Sequence, residues 1–204
     1  SIQQVERCIE ECNIGFLFAP SHHAATKYAV GPRKELGLRT FFNLLGPLTN
    51  PANAPNQIMG VFAKNWMKKT AKVLKKLGSR HVMVVHSKDG MDEISLSAPT
   101  FVVELKDGKI NKYKIKPEDF GIATQAVDDL VVTNSQQSLD LINFAFSSAS
   151  GAAADILALN AGAAIYVSGK AKDMLEGVMI AQEMLKSGAA KEKLTQLIKF
   201  TRNF

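Results

Sequence analysis

The sequence predicts an α/β fold, and three observations carry that prediction. Two short apolar runs, Gln57 to Phe62 and His81 to His86, bracket a lysine-rich amphipathic stretch, which reads as strand, helix, strand and so as a parallel βαβ unit. Phe101 to Leu105 and Lys109 to Ile115 then flank Lys106-Asp107-Gly108, a strong hairpin signal. From Asn134 onward the chain reads as helical to its end, with Gly151, Gly169 and Gly188 at the junctions.

The elements follow in order. Ile2 to Cys12 is amphipathic, with Val5, Cys8, Ile9 and Cys12 on one face. Gly15 opens a strand-like run, Phe16 to Ala19, and Ser21 is a good N-cap for a helix from His22 towards Val30. Gly31-Pro32 interrupts that helix, and the proline can start a new turn carrying Arg33, Lys34 and Glu35. Thr40 to Pro55 is a loop punctuated by Gly46, Pro47, Pro51 and Pro55. The lysine-rich stretch places Trp66, Thr70, Val73, Leu74 and Leu77 on one side, and Gly78 ends it. Asn134 or Ser135 caps the first of the late helices, and the small residues from Ala152 to Ala164 permit close packing.

Composition bounds what such a chain can be. At 204 residues, 46% hydrophobic and 22% charged, residues 1–204 suit one folded domain, or one large and one small, and exclude disorder, collagen and a disulfide-built miniprotein. No apolar run approaches the ~20 residues that cross a bilayer, and Cys8 and Cys12 lie one helical turn apart, so a soluble, cytoplasmic protein is expected. The net charge of +6 is local: Lys64, Lys68, Lys69, Lys72, Lys75, Lys76 and Arg80 supply seven positive charges in a stretch with no acid. That reads as a solvated helix face, with phosphate-backbone contact as the sharper alternative.

Four constellations can carry chemistry. Asp89-Gly90-Met91-Asp92-Glu93 follows a strand, where open α/β sheets bind ligands; its adjacent acids suit Mg²⁺ or form a plain surface turn. Pro20-Ser21-His22-His23 sits at a helix start and fits proton transfer, metal or anion contact, or simple capping. Arg33 and Arg39 offer forks for carboxylate or phosphate. The loop Asn43-Leu44-Leu45-Gly46-Pro47-Leu48-Thr49-Asn50-Pro51 is apolar enough for a pocket wall or a buried crossover. Neither a G-x-G-x-x-G nor a P-loop is present, so no phosphate cradle is evident.

The order of these pieces (Gly15-Phe16-Leu17-Phe18-Ala19, His22-His23, Arg33-x-x-Leu36-Gly37-x-Arg39-Thr40, Phe42-Asn43-x-Leu45-Gly46-Pro47-Leu48-x-Asn50-Pro51, Asp92-Glu93) closely resembles the anthranilate phosphoribosyltransferase family. Ala158-Leu159-Asn160-Ala161-Gly162-Ala163-Ala164 and Ser187-Gly188-Ala189 resemble that family's final helices. The resemblance implies the nucleoside-phosphorylase-like fold of class III phosphoribosyltransferases, with a central, largely parallel sheet flanked by helices. It implies transfer of phosphoribosyl from phosphoribosyl pyrophosphate (PRPP) to anthranilate in tryptophan biosynthesis. It also assigns roles. Arg33 would clamp the anthranilate carboxylate; Ala19, His23, Gly46 and Pro47 would line the acceptor pocket; His23 would accept a proton; Asp92 and Glu93 would hold Mg²⁺. The family's GTGGD turn and KHGN segment, and the N-terminal helical domain through which members form homodimers, have no counterpart in the 204 residues. The resemblance therefore implies a C-terminal portion, truncated on its N-terminal side, with little or no activity alone. A related nucleoside phosphorylase, a nucleic-acid-binding relative using the lysine face, and a non-catalytic interaction fragment are the competing readings. Intact Arg33 and Asp92-Glu93 argue against the nucleic-acid reading.

Overall fold

The computed structural model describes residues 1–18 and 46–204, which fall into two compact units: Ser1–Asn53 with Glu192–Phe204, and Ala54–Lys191. The predicted helix from His22, the turn carrying Arg33, and Arg39 lie outside the described residues, as do Ala19 and His23.

The larger unit is built on a sheet of order β1-β2-β3-β4, comprising β1 (Asn56–Gly60), β2 (His81–Ser87), β3 (Thr100–Lys106) and β4 (Lys109–Ile115). β1 and β2 pair in parallel across α2 (Lys64–Lys76), completing the expected βαβ unit. The ladder runs one residue past β1, because the Val61 amide donates to the Val85 carbonyl at 3.0 Å. β2 with β3, and β3 with β4, pair antiparallel. Among the described residues the sheet is therefore mixed rather than largely parallel. No helix joins β2 to β3, so no parallel crossover forms there. Asp107 (φ 48°) and Gly108 (φ 75°) make a two-residue left-handed turn, which returns the chain antiparallel.

The sheet is covered on both faces. Alternation sends Met83, Val85 and Val102 into one core with Leu159, Ala163 and Val178 from the late helices. α2 lies on the other side and buries Met67, Thr70, Ala71 and Leu74. This corrects the predicted stripe: Val73 and Leu77 are 40% and 60% exposed. Positions 67, 70, 71 and 74 span an arc as wide as that of 66, 70, 73, 74 and 77 but turned by about 60° around the helix, and only one such arc can face a flat sheet. After two short 3₁₀ turns (Pro117–Phe120 and Asp128–Leu130) come α3 (Ser135–Ser148), α4 (Ala152–Val167) and α5 (Met174–Lys186). Asn134 caps α3, its side chain accepting from the Gln137 amide. α4 and α5 touch through Gly162 and Gly177: a Cβ on Gly162 would stand 2.6 Å from the Val178 Cα, and one on Gly177 would stand 2.3 Å from the Gly162 carbonyl oxygen. No single helix among the described residues is long and apolar enough to cross a membrane.

In the smaller unit, α1 (Ile2–Cys12) starts at a capping box between Ser1 and Gln4 and buries Cys8 and Cys12 as free thiols. Residues 14–18 are irregular rather than a strand, with Phe16 75% exposed; no ladder among the described residues satisfies their backbone. α6 (Ala189–Thr201) begins at the end of the larger unit, and its C-terminal part belongs to the smaller one. There the Arg7 guanidinium lies 5.4 and 5.5 Å from the ring centres of Phe200 and Phe204.

Candidate metal and acceptor site

The Asp92-Glu93 pair occupies the loop leaving β2, at the carboxyl end of the parallel pair. Both side chains are exposed, and neither takes part in a hydrogen bond or ion pair among the described residues. Among the described residues, nothing engages their carboxylate oxygens. The backbone beneath them is fixed from three directions.

The first constraint is Asp89. Its carboxylate accepts from the Ser95 hydroxyl, from the Ser97 hydroxyl at 2.5 Å and from the Met91 amide at 3.1 Å. Partial burial works to raise its pKa. The serine hydroxyls and the Met91 amide outweigh that and hold it at about 2. The turn is closed further by the Ser87 amide on the Met91 carbonyl (2.9 Å) and the Lys88 amide on the Pro99 carbonyl (3.0 Å).

The second constraint comes from α4. The Asn160 side chain accepts from the Ile94 amide at 3.0 Å and donates back to the Ile94 carbonyl at 2.9 Å. It also donates to the Ile156 carbonyl one turn earlier. Ile94 is 2% exposed and belongs to the core, so the residue directly after Glu93 is held by both backbone and side chain. The third constraint is Gly60, at the end of β1. A Cβ there would lie 1.5 Å from the Asp92 carbonyl oxygen, so only glycine lets the loop seat against the strand.

A second polar cluster lies at the far end of β2. His81 Nε2 is 2.7 Å from Glu104 Oε1, and the phenols of Tyr113 and Tyr166 donate to the same carboxylate at 3.1 and 2.9 Å. Lys106 Nζ donates to the Tyr166 oxygen at 3.2 Å. Burial first, then the Glu104 charge, pushes the Tyr113 phenol above its ordinary range. This cluster ties β2, β3 and β4 to the C-terminal end of α4.

Gly46 and Pro47, the described members of the predicted acceptor pocket, are neighbours in a helical turn at residues 46–48. The Thr49 amide donates to the Gly46 carbonyl at 3.2 Å. A Cβ on Gly46 would meet no described atom within 4 Å. Also in the smaller unit is an apolar cleft of about 400 Å³, whose lining includes Ile2, Val5, Ile9, Leu17 and Pro51 together with Glu6 and Glu10. Asp92 and Glu93 are candidates on sequence alone; Asn160 is not among them. A lone amide inside the apolar run Ala152 to Val167 was the available signal, since a polar side chain there needs a partner.

The two carboxylates suit a hard cation by chemistry: both offer unengaged oxygens on a fixed backbone. No cluster of three or more His, Cys, Asp or Glu able to hold a metal occurs among the described residues, so the remaining ligands would be waters or substrate oxygens, as Mg²⁺ favours.

Residues 1–191 match the family model described as the glycosyl transferase family, a/b domain. The chain is 58% identical over 204 residues to an anthranilate phosphoribosyltransferase of Marinomonas sp. (strain MWYL1), and 53% identical over 206 residues to one of Ectopseudomonas mendocina (strain ymp). Each alignment covers 99% of this chain and 59% of the relative, so the chain spans less than two thirds of their length. Among solved structures, the anthranilate phosphoribosyltransferase of Thermus thermophilus superposes with a TM-score of 0.89 at 38% identity, over 98% of this chain and 59% of that one. With its helix-flanked sheet and with that match over nearly its whole length, the chain belongs to the glycosyl transferase family, through that family's α/β domain.

Proposed function

We propose that this chain is the C-terminal, acceptor- and metal-binding portion of an anthranilate phosphoribosyltransferase, acting in tryptophan biosynthesis. The observation that carries the reading is the Asp92-Glu93 loop: two unengaged carboxylates, fixed by Asp89, Asn160 and Gly60, in a chain 58% identical to such an enzyme. In the reaction, the bond from C1′ of PRPP to diphosphate breaks and a bond from C1′ to the anthranilate nitrogen forms. The nitrogen then gives up a proton. An aniline is neutral at pH 7, so it attacks without prior deprotonation, and His23 is the proposed acceptor of the released proton. Arg33 presents a planar fork to the anthranilate carboxylate. Ala19, His23, Gly46 and Pro47 are the proposed lining of the pocket for its ring.

Asp92 and Glu93 are the proposed Mg²⁺ ligands, and the ion would neutralise charge on the departing diphosphate. Support comes from a yeast anthranilate phosphoribosyltransferase of the same fold, described in complex with PRPP and Mg. Without a phosphate cradle of its own, the chain alone is proposed to turn over little or not at all. Homodimer formation is assigned to the portion of the longer relatives that it does not span.

Anthranilate binding tests the reading directly, because the ligand's own fluorescence reports it. The chain is expected to bind anthranilate saturably, and Arg33→Ala to weaken binding by about tenfold or more, the scale of a lost charge-assisted pair. Binding indifferent to Arg33 would overturn the acceptor assignment. Turnover of the isolated chain at ~1–10³ s⁻¹ would overturn the proposed inactivity.

A further inference from the structure

We propose that Asn160, with Asp89, is a positioning residue for the Asp92-Glu93 pair: the two set the geometry in which those carboxylates meet a divalent cation. The inference rests on the metal reading of that pair.

Three features of the contact support it. Asn160 engages both backbone groups of Ile94, as a neighbouring strand residue would, so it fixes position and rotation of the peptide directly after Glu93. Its third bond, to the Ile156 carbonyl, holds the side-chain amide against its own helix and leaves it little freedom to swing. Asp89 does the corresponding work on the preceding side, gathering Ser95, Ser97 and Met91 around one carboxylate. Its oxygens are occupied by these donors, which separates it from Asp92 and Glu93. Three acids stand in five residues, and the structure divides their labour: one is consumed in holding the turn, two are presented.

Partners that orient ligating side chains typically govern metal affinity by 10–100-fold. The probe is Mn²⁺ alone, titrated into the full chain and read by electron paramagnetic resonance. Amide exchange at Glu93 and Ile94 and thermal unfolding are read on the same samples. Asn160→Ala is expected to weaken Mn²⁺ binding by about tenfold and to speed Ile94 amide exchange. Asn160→Asp keeps the acceptor for the Ile94 amide but loses the donor, and falls between. Tyr166→Phe, at the far end of the same helix, lowers stability and leaves Mn²⁺ affinity unchanged. Asn160→Ala with wild-type Mn²⁺ affinity, while Asp92→Asn abolishes binding, would overturn the inference and leave the metal reading intact. If Asp92→Asn does not alter Mn²⁺ binding, the metal reading fails instead. The positioning of the pair is then decided by exchange: faster exchange at Glu93 and Ile94 in Asn160→Ala upholds it, unchanged exchange overturns it.

Discussion

Asp89 illustrates how one residue converts a turn into a platform. Its carboxylate is held at about 2, below its ordinary 3.8, because ionised oxygens accept from Ser95, Ser97 and Met91 more strongly than neutral ones would. A carboxylate depressed on folding contributes stability above its unfolded value, and that stability is lost as pH falls through the folded one. Stability is therefore expected to decline between about pH 4 and pH 2, with Asp89→Asn flattening that limb. Denaturant midpoints measured across the range check it; identical acid limbs for the two proteins would refute it. The role was not legible from sequence. Asp89, Asp92 and Glu93 look alike as letters, and only the return of Ser95 and Ser97 over the turn distinguishes the first from the others.

Among elements, the pair α4–α5 is defined by what is missing from its interface. Gly162 and Gly177 let the two backbones meet, and Gly162→Ala would drive a methyl into the Val178 main chain. Such overpacking costs about 1–3 kcal/mol, and a melting point lower by several degrees is the expected reading; an unchanged melting point would show that the helices yield freely. Much of this scale was legible. The small-residue run foretold the close contact, the apolar runs β1 and β2, and Asp107-Gly108 the hairpin, because each is a local rule of period or turn chemistry. What escaped was non-local. The buried arc of α2 depends on how a helix lands on a sheet, and Val73 and Leu77 stay outside although their spacing admits them. The strand-like run after Gly15 failed for a related reason, since apolar text becomes a strand only where a partner completes the ladder.

At the scale of the whole molecule, the charge is concentrated rather than spread. Without the seven cations from Lys64 to Arg80, the remaining eighteen nearly balance nineteen acids. The fold adds Lys112 and Lys114 to the same side: Lys64 and Lys114 approach the Phe101 ring at 3.7 and 5.1 Å, and Lys64, Lys68 and Lys112 line a cleft of about 100 Å³. Lys75 is engaged, donating to the Gly108 carbonyl. One lysine is spent on the turn, and the Phe101 ring, with two ammonium groups over it, is not open for a base to stack. Gel-shift assays near 0.15 M salt are expected to show no complex with duplex or single-stranded nucleic acid. A complex that weakens with salt and disappears on joint replacement of Lys68, Lys72 and Lys76 by Glu would restore the nucleic-acid reading.

The lysines of β4 bear on a different hazard. Among the described residues this strand is paired only on its β3 side, and an outer strand invites like molecules to extend the sheet edge to edge. Lys109, Lys112 and Lys114 sit exposed along it, so a second copy approaching in register would bring ammonium against ammonium. The β4 lysines thus act as gatekeepers against edge-to-edge pairing of the hairpin with a second copy.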